Sequence, residues 1–380
     1  MRIKLVSSGY APTIGGLQKT TQELARAWKQ AGHEVRVITS RSSRKLSAHD
    51  EIDGIPVSRY YFVWELPRIK FIPFLKFLVQ CVLLPLSIFS LWKELDPRRT
   101  DVVSVHYVGS LAWWAVPIAK RRSLPVVVTL HGSDLRVEPF RSRLKRAMLR
   151  KVLYLADEVS TVSHFMLREM KNFFPEIRGK GTVISNGYNP SELEGIEATR
   201  VERPYGLCVA RLSLQKGHPL LIDAFETLGP SDPGFDLVFL GDGPSRKVIM
   251  EKARTSRLRE HILFRGSVPH CEVLSLMKTA SFVVIPSEAE PFGLVAVEAR
   301  LLCRPIVALE QGALPEVLEG YSGVTWVEQD TPEALAKGMV RAMCYGKVAP
   351  EATVPFDRWE AVAEKYIDLF GKHMRDDQNE

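Results

Sequence analysis

The sequence predicts an α/β protein with two doubly wound, Rossmann-like domains. Three observations support this prediction. Short apolar runs typical of buried strands alternate with helical stretches along most of the chain, as in parallel sheets covered by helices on both faces. One polar, acidic stretch at 189–204 has no apolar periodicity and interrupts this alternation. The length of 380 residues also exceeds that of one typical domain.

The first predicted domain covers residues 1–188. Ile3–Ser7 predicts a strand, Gly15-Gly16 a loop, and Thr20–Ala31 a helix that ends before the next strand at Val35–Thr39. Helical stretches lie between most of the later strand candidates, which are Val102–Val105, Val126–Leu130, Glu158–Val162 and Thr182–Ile184. Residues 189–204 form the predicted linker.

The second predicted domain covers residues 205–355, where the alternation resumes. Six strand candidates with helices between them indicate a second parallel sheet. They are Gly206–Ala210, Leu237–Leu240, Ile262–Phe264, Phe282–Ile285, Ile306–Ala308 and Val324–Val327. Residues 356–380 predict an amphipathic helix and a charged tail, which we expect to cross back to the first domain.

Cysteine usage and the N-terminal sequence indicate a cytoplasmic protein, and charge is distributed unevenly between the two halves of the chain. The five cysteines occur singly, without a C-x-x-C pair, which fits a reduced compartment. The N-terminus runs directly into the first predicted strand and lacks the apolar core of a signal peptide. Residues 1–186 contain 30 Lys and Arg against 15 Asp and Glu, a net +15, whereas residues 187–380 contain 21 against 29, a net −8.

The densest basic stretch is Arg141–Lys151, in which six of eleven residues are basic. A helix there would bury one face formed by Leu144, Met148, Val152 and Leu155. The basic side chains would then form either an ordinary solvated face or a surface for an anionic membrane. We do not predict nucleic-acid binding, because the stretch lacks interleaved aromatic residues and no nucleic-acid motif occurs elsewhere.

A second stretch, Phe77–Trp92, contains no charged residue. It is shorter than the roughly 20 residues that span a bilayer, and Pro85 interrupts it. It therefore predicts either a helix buried in the first domain or one that faces lipid at a membrane surface.

The segment Pro286–Ala299 carries the clearest functional signal. Its glycine turn, Pro291-Phe-Gly-Leu294, lies between the predicted strand Phe282–Ile285 and a helix that begins near Leu294. The free backbone amides of such a helix start can bind an anion. Glu290 precedes the turn and Glu298 follows it, so that one carboxylate can face a sugar while the other reaches a ribose. This arrangement suggests a nucleotide-sugar site.

The ordered set of motifs resembles the retaining glycosyltransferases of family 4, the glycosyl transferases of group 1. In the second half the motifs are Val209-Ala-Arg-Leu-Ser-Leu-Gln-Lys-Gly217, Leu240-Gly-Asp-Gly-Pro244, Phe264-Arg-Gly-Ser-Val268, the Glu290 to Glu298 segment and Gln311-Gly-Ala-Leu-Pro-Glu-Val317. The first half agrees in Gly15-Gly16, Thr129-Leu-His-Gly-Ser-Asp134 and Ile184-Ser-Asn-Gly187. The resemblance covers nearly the whole chain and implies the GT-B fold, in which two such domains face each other across a cleft.

The resemblance assigns the cationic and acidic residues of the second domain to a sugar-nucleotide donor. Arg211 and Lys216 would bind the diphosphate and stabilise it as the leaving group. The planar guanidinium of Arg211 and the compact ammonium charge of Lys216 together suit a diphosphate. Glu298 would accept from the ribose hydroxyls, and Glu290 would face the transferred sugar. The backbone amides of Phe292, Gly293 and Leu294 would contact the sugar and phosphate, and Gly241 and Gly243 would border the nucleoside.

In the first domain, the resemblance assigns His131 to the donor sugar near the reacting carbon. Asp134 would either orient this histidine or cap a helix, and we expect His106 to be structural. Gly15 and Gly16 open a helix and would let the donor phosphates approach the backbone. One departure is Arg300-Leu-Leu-Cys-Arg304, where the family usually has small residues, and a second is Gln311-Gly-Ala313 in place of a double glycine; both could alter donor preference.

The sequence therefore predicts a retaining hexosyltransferase with a UDP- or GDP-linked donor and a glycan or lipid-linked acceptor of the cell envelope. It would lie on the cytoplasmic face of an anionic membrane. No Asp-x-Asp motif occurs, so we predict no metal site and no cofactor. Two alternatives are a nucleotide-sugar epimerase of the same fold and a non-catalytic sugar-nucleotide-binding scaffold. A dehydrogenase is the least favoured interpretation, because no G-x-G-x-x-G follows the first strand.

Overall fold

A computed structural model describes residues 1–13, 15–41, 43, 46–61, 84–198, 202–229, 233–345, 348–351 and 353–376. Contacts divide the chain into two compact units. The first unit contains Met1–Gly187 and the segment that begins at Asp357, and the second unit is Tyr188–Phe356. Each unit has its own sheet and its own core.

The first unit is built on an eight-stranded sheet with the order β3-β4-β2-β1-β5-β6-β7-β8. Every neighbouring pair is parallel except β3 and β4, which pair antiparallel. The strands are β1 (Arg2–Ser7), β2 (Glu34–Ser40), β3 (His49–Ile52), β4 (Ile55–Tyr60), β5 (Val102–His106), β6 (Val126–Leu130), β7 (Glu158–Thr161) and β8 (Thr182–Val183). Because the chain leaves β1 toward β2 and reaches β5 on its other side, the switch in strand order lies between β1 and β5.

The helices of the first unit cover this sheet. They are α1 (Gly16–Gln30), α2 (84–94), α3 (Ser110–Arg121), α4 (Ser133–Arg136), α5 (Glu138–Arg141), α6 (Arg143–Leu155), α7 (His164–Phe173) and, at the C-terminal end of the chain, α14 (Trp359–Asp376). Trp28 of α1 is fully buried, and its ring centroid lies 5.8 Å from that of Tyr366 and 5.6 Å from that of Phe370, both in α14. The Trp28 indole also donates to the Ala363 carbonyl at 3.2 Å, so α14 completes the core of the first unit.

The second unit has a six-stranded, wholly parallel sheet with the order β11-β10-β9-β12-β13-β14. Its strands are β9 (Tyr205–Val209), β10 (Asp236–Leu240), β11 (Ile262–Gly266), β12 (Phe282–Ile285), β13 (Ile306–Leu309) and β14 (Val324–Val327). Its helices are α8 (His218–Glu226), α9 (Arg246–Thr255), α10 (His270–Thr279), α11 (Leu294–Leu301), α12 (Leu314–Val317) and α13 (Pro332–Met343).

Numbered within the unit, this order is 3-2-1-4-5-6, the doubly wound order of dinucleotide-binding folds. In such sheets ligands bind outside the carboxyl ends of the strands where the order reverses, here between β9 and β12. Buried aromatic rings fill one side of the sheet: Phe235 lies 5.5 Å from Phe225 and 5.5 Å from Phe282 between ring centroids. The predicted fold class of two doubly wound α/β domains is confirmed.

Helix α6 corrects the expected apolar face of the basic stretch. Leu149, Val152 and Leu153 are buried, whereas Leu144 is 44% exposed. Of the predicted face, only Val152 is buried, Met148 and Leu155 are partly buried, and the buried residues lie closer to the C-terminal end of the helix than predicted. Leu144 therefore contributes apolar surface to solvent rather than to the core.

Part of the uncharged stretch Phe77–Trp92 lies outside the described residues, which resume at 84. The described part is helix α2, and it buries Leu91 while exposing Leu86 and Phe89 by 62% and 57%. Trp92 is 40% exposed, with the Arg122 guanidinium 4.6 Å from its ring centroid. None of the helices in the described ranges combines the length and apolarity that a membrane crossing requires.

Candidate functional site

The residues predicted to bind a diphosphate lie on the loop that follows β9. This loop ends in a 3₁₀ turn, Leu214–Lys216, directly before α8. Lys216 Nζ lies 2.6 Å from Glu290 Oε2, and Glu290 follows β12. The two side chains are 28% and 15% exposed. The structure therefore brings one predicted cation and one predicted acid together at the point where the strand order reverses.

Arg211, the second predicted cation, is exposed on the same loop. Within the described part of the chain, no acidic side chain pairs with it. The loop makes close backbone contacts with the loop after β10. A Cβ atom on Gly241, whose φ is +125°, would lie 2.1 Å from the Ala210 carbonyl oxygen, and one on Gly243 would lie 2.4 Å from that of Leu212. These two predicted nucleoside-binding glycines thus allow the loops to pack against each other.

The loop after β9 also packs closely against the loop after β12. Gly217 adopts a φ of +71°, and a Cβ atom there would lie 1.8 Å from the Pro286 carbonyl oxygen, so only glycine fits. His218 is buried beside it, with its Nδ1 atom 3.2 Å from the Ser213 carbonyl oxygen. Burial lowers the pKa of His218 to about 4, so the ring is neutral at physiological pH. Lys216 is therefore presented by a rigid turn.

Glu290 is supported by its own turn and by the loop after β13. The Ala313 amide donates to the Glu290 carbonyl at 2.9 Å, and Ala313 is fully buried with a φ of −91°. This explains why Gln311-Gly-Ala313 needs glycine only at its second position. Phe292 is 5% exposed and anchors the turn in the core.

Gly293 caps the N-terminus of α11, and its carbonyl accepts from the amides of Ala296 and Val297 at 2.8 and 3.1 Å. Leu294 is the first residue of α11, which is eight residues long and ends at Leu301. The helix begins four residues after Glu290, but a Cβ atom on its N-cap residue Gly293 would lie 3.2 Å from Glu290 Cγ, so the positive end of the helix dipole lies close to Glu290. A negatively charged ligand group is favoured at such a position.

Glu298, the predicted ribose ligand, lies in α11 and contacts a histidine that the sequence analysis did not identify. His270, the first residue of α10, has its Nε2 atom 2.8 Å from Glu298 Oε1. Its Nδ1 atom lies 3.6 Å from Glu192 Oε2. The available signal was the position of His270, two residues after the motif Phe264-Arg-Gly-Ser-Val268.

Gly15 and Gly16, the predicted phosphate-binding glycines of the first unit, start α1. Gly15 is the N-cap residue, and its carbonyl accepts from the Lys19 amide at 2.9 Å. Helix α1 is 15 residues long and has no acidic residue in its first turn. The loop before it follows β1, at the reversal of strand order in the first unit.

His131 follows β6 and is partly buried, with a histidine partner. His131 Nε2 lies 3.0 Å from His106 Nδ1, and His106 Nε2 lies 3.1 Å from Ser104 Oγ. Burial lowers the pKa of His131 to about 3, and burial together with the His131 ring lowers that of His106 well below its usual range. Both rings are therefore neutral at physiological pH, and they form a buried chain of hydrogen bonds that ends at the fully buried Ser104.

Asp134 shapes the loop that carries His131. Its carboxylate accepts from the backbone amides of His131 at 3.1 Å, Gly132 at 2.8 Å and Val108 at 3.3 Å. Burial raises the pKa of Asp134 to about 6, and these backbone hydrogen bonds oppose the rise. Asp134 makes no side-chain cap of α4, and it orients His131 through the backbone of the loop rather than through the ring.

The predicted site residues are divided between the units. Gly15, Gly16 and His131 belong to the first unit, and the other predicted residues belong to the second. Arg300, noted as a departure, is 5% exposed and donates to both carboxylate oxygens of Glu351 at 2.7 Å and to the Val317 carbonyl at 2.8 Å. Its contacts are structural, which accounts for a large residue at this position.

The basic stretch of the first unit forms a mixed surface on α5 and α6. Phe140 and Tyr154 are 58% and 69% exposed, and Leu144 adds to them. Three basic side chains form ion pairs there: Arg141 and Lys145 with Glu138, and Arg150 with Glu176. In the region that the structure describes, three further exposed basic side chains have no acidic partner, namely Arg143, Arg146 and Lys151.

Comparison with known proteins gives a consistent result. The model of Glycosyltransferase Family 4 matches residues 14–192, and that of Glycosyl transferases group 1 matches residues 191–346. The uncharacterized glycosyltransferase MJ1607 of Methanocaldococcus jannaschii is 29% identical over 360 residues, covering 90% of this chain and 89% of its own. A glycogen synthase of Mycobacterium tuberculosis is 29% identical over 346 residues, covering 87% and 83%.

Among solved structures, the chain is similar to Anabaena HepE in complex with UDP and glucose. The TM-score is 0.69 and the sequence identity 17%, and the match covers 98% of this chain and 99% of that protein. At this level of identity the similarity concerns the fold.

Proposed function

Because the chain belongs to the glycosyltransferases of family 4 and group 1, with the GT-B fold, we propose that it is a retaining hexosyltransferase. It transfers a hexose from a nucleotide diphosphate sugar to an acceptor hydroxyl. The observation that carries this proposal is the Lys216–Glu290 pair at the strand-order reversal of the second unit. A cation and an acid at this position suit a ligand that joins a diphosphate to a polar sugar.

The donor is bound by charge on the side of the second unit. Lys216 and the exposed Arg211 supply positive charge for the diphosphate, and the start of α11 adds unpaired backbone amides. Charge-assisted hydrogen bonds to a leaving diphosphate gain strength as its negative charge develops. The UDP held by the HepE structure supports a nucleoside diphosphate as the donor's leaving part, UDP- or GDP-linked.

The transfer breaks the bond between the sugar C1 and the diphosphate oxygen and forms the bond between C1 and the acceptor oxygen. The acceptor proton passes to the leaving diphosphate oxygen on the same face of the sugar, so the anomeric configuration is retained. Glu290, paired with Lys216, acts as an electrostatic and positioning residue for the sugar. His131, neutral because of burial, offers a hydrogen bond to the sugar without adding charge.

The acceptor is a lipid-linked or cell-envelope glycan at an anionic membrane surface on the cytoplasmic side. Support for this comes from the exposed apolar and basic side chains of α5 and α6 and from the net charge of +15 in residues 1–186. Each basic residue close to an anionic leaflet contributes about 1 kcal/mol. The protein would then bind peripherally with its first unit.

A donor panel tests the proposal. Thermal unfolding is measured with UDP, GDP and ADP, and nucleotide-sugar consumption is measured with and without a lipid extract as the acceptor. A ligand at 100 times its Kd stabilises by about 2.7 kcal/mol, so one nucleotide should raise the melting temperature clearly. Acceptor-dependent release of that nucleotide supports the transferase. Epimerised donor formed without acceptor would establish an epimerase instead, and binding without turnover would establish a scaffold.

A further inference from the structure

We propose that His270 positions the Glu298 carboxylate for the ribose hydroxyls and thereby sets the preference for ribonucleotide over 2′-deoxyribonucleotide donors. This inference rests on the proposed function, because it takes Glu298 as the ribose ligand. It adds a residue outside the motifs that led to the family.

The contact joins two neighbouring helices of the second unit. His270 is the first residue of α10, and Glu298 is the fifth of α11. The distance of 2.8 Å between Nε2 and Oε1 is that of a strong hydrogen bond. Glu298 is 13% exposed and His270 is 32% exposed, so the pair lies at the surface of the unit with little water around the carboxylate.

The contact also fixes which ring nitrogen of His270 carries a proton. A carboxylate only accepts hydrogen bonds, so His270 must carry a proton on Nε2. The other ring nitrogen, Nδ1, faces Glu192 at 3.6 Å. A ring held between two carboxylates has one preferred orientation, and that orientation holds Oε1 of Glu298 in place.

Such positioning has a direct consequence for ribose binding. Two vicinal hydroxyls can donate to one carboxylate only when both oxygens are presented in the right plane. A glutamate without a partner must first order its side-chain torsions, which costs conformational entropy. His270 removes much of this cost before the donor arrives, in the way that preorganised ligand groups gain affinity. The gain in affinity comes from the contacts with the ribose hydroxyls, and the contacts with the base and the phosphates are unaffected.

The test compares two nucleotides that differ in one hydroxyl. The Kd values of UDP and 2′-deoxy-UDP are measured by calorimetry, or those of the matching guanosine pair if the donor panel selects GDP. In the wild type UDP binds more tightly. We expect His270→Ala to reduce the Kd ratio on the order of tenfold, about 1.4 kcal/mol, the net worth of one hydrogen bond. His270→Gln, which keeps an N–H donor, should restore part of the ratio.

A second histidine–carboxylate pair provides the matched control. His261 Nδ1 lies 2.9 Å from Asp236 Oδ1, and Asp236 is the first residue of β10, at the amino end of that strand rather than at the carboxyl ends that α10 and α11 follow. His261→Ala removes a comparable contact and should leave the ratio of the two Kd values unchanged. If His270→Ala lowers both affinities equally, its role is structural and the inference is overturned.

Glu298→Gln separates this inference from the proposed function. If it leaves the ratio of Kd values unchanged, the ribose assignment of Glu298 is wrong and the inference fails with it. If Glu298→Gln lowers the ratio while His270→Ala does not, only the inference fails. Should His270→Ala not fold, His270→Asn gives the same comparison, because its shorter amide cannot span the distance to Glu298.

Discussion

Lys216 and Glu290 are separated by 74 residues in the sequence, yet Lys216 Nζ lies 2.6 Å from Glu290 Oε2. The pair joins the loops that follow β9 and β12. A partly buried ion pair contributes little net stability to the fold, because the desolvation of both charges offsets their attraction. Its value is therefore better sought in ligand binding, where an anion can exchange places with the carboxylate beside the ammonium group.

Removal of either cation should weaken nucleotide binding. Lys216→Ala and Arg211→Ala each lose a charge-assisted hydrogen bond to the diphosphate, worth about 1.5–3 kcal/mol, or roughly 10- to 150-fold in Kd. Isothermal titration with UDP or GDP measures this, and the uncharged nucleoside should bind both variants like the wild type. Lys252→Ala on α9, whose ammonium pairs with Asp223 on α8, is the control. Wild-type affinity in both site variants would refute the diphosphate assignment.

Replacement of Glu290 should separate binding from turnover. Glu290→Gln keeps the size of the side chain but removes a negative charge close to the diphosphate. The nucleotide should therefore bind as tightly as before or more tightly, while kcat falls by about 100-fold or more because the group that positions the sugar is altered. A parallel loss of nucleotide affinity would show that Glu290 contributes to the diphosphate site instead.

Stability should depend on pH through the buried histidine pair. A histidine whose folded pKa lies below its unfolded value of about 6.5 stabilises the fold above that pH, and this is lost as pH falls toward the folded pKa. For His131 the folded value is about 3, so acidification from pH 6.5 to 4.5 should cost about 2 kcal/mol of the free energy of unfolding. His106 acts in the same direction.

Asp134 acts in the opposite direction, because its folded pKa of about 6 lies above its unfolded value. Its contribution is present below pH 4 and is lost as pH rises through 6. Urea unfolding at pH 7 and 4.5 measures the sum. His106→Asn should lose less stability on acidification than the wild type, and Asp134→Asn should lose more. Identical losses in all three proteins would contradict the account.

Membrane binding should depend on the unpaired basic residues of α6. Arg143, Arg146 and Lys151 changed together to Gln should reduce binding to phosphatidylglycerol vesicles roughly 100-fold, at about 1 kcal/mol for each residue. Wild-type binding should fall with salt as the Debye length shrinks from about 8 Å to 3 Å. The same change at Arg254, Arg257 and Arg259 of the second unit is the control. Equal, negligible wild-type binding to anionic and neutral vesicles would show an ordinary solvated face.

The fold followed from local patterns, and so it could be predicted from the sequence. Apolar runs of strand length and the helices between them determine the parallel sheets. The antiparallel β3–β4 pair was missed although Asp53-Gly54, both with positive φ, is a strong hairpin signal. The flanking strand β3 is largely exposed, so it lacks the apolar run on which the prediction depended.

Contacts between distant side chains were harder to predict. Glu298 and His270 are 28 residues apart, and their contact depends on how α10 and α11 pack. Arg300 illustrates the same difficulty, because its partner Glu351 lies 51 residues away. The motif pattern identified Lys216 and Glu290 as separate donor ligands, and only the sheet order shows why the two side chains meet.

The anomeric configuration of the product tests most directly whether this protein is a retaining glycosyltransferase. The enzyme is incubated with the nucleotide sugar selected by the donor panel and a lipid-linked acceptor, and the new linkage is followed by proton NMR. We expect consumption of the donor, release of the nucleoside diphosphate and a product with the donor's anomeric configuration, all lost in Lys216→Ala. An inverted anomer, or no transfer from any nucleotide sugar that binds, would contradict this expectation.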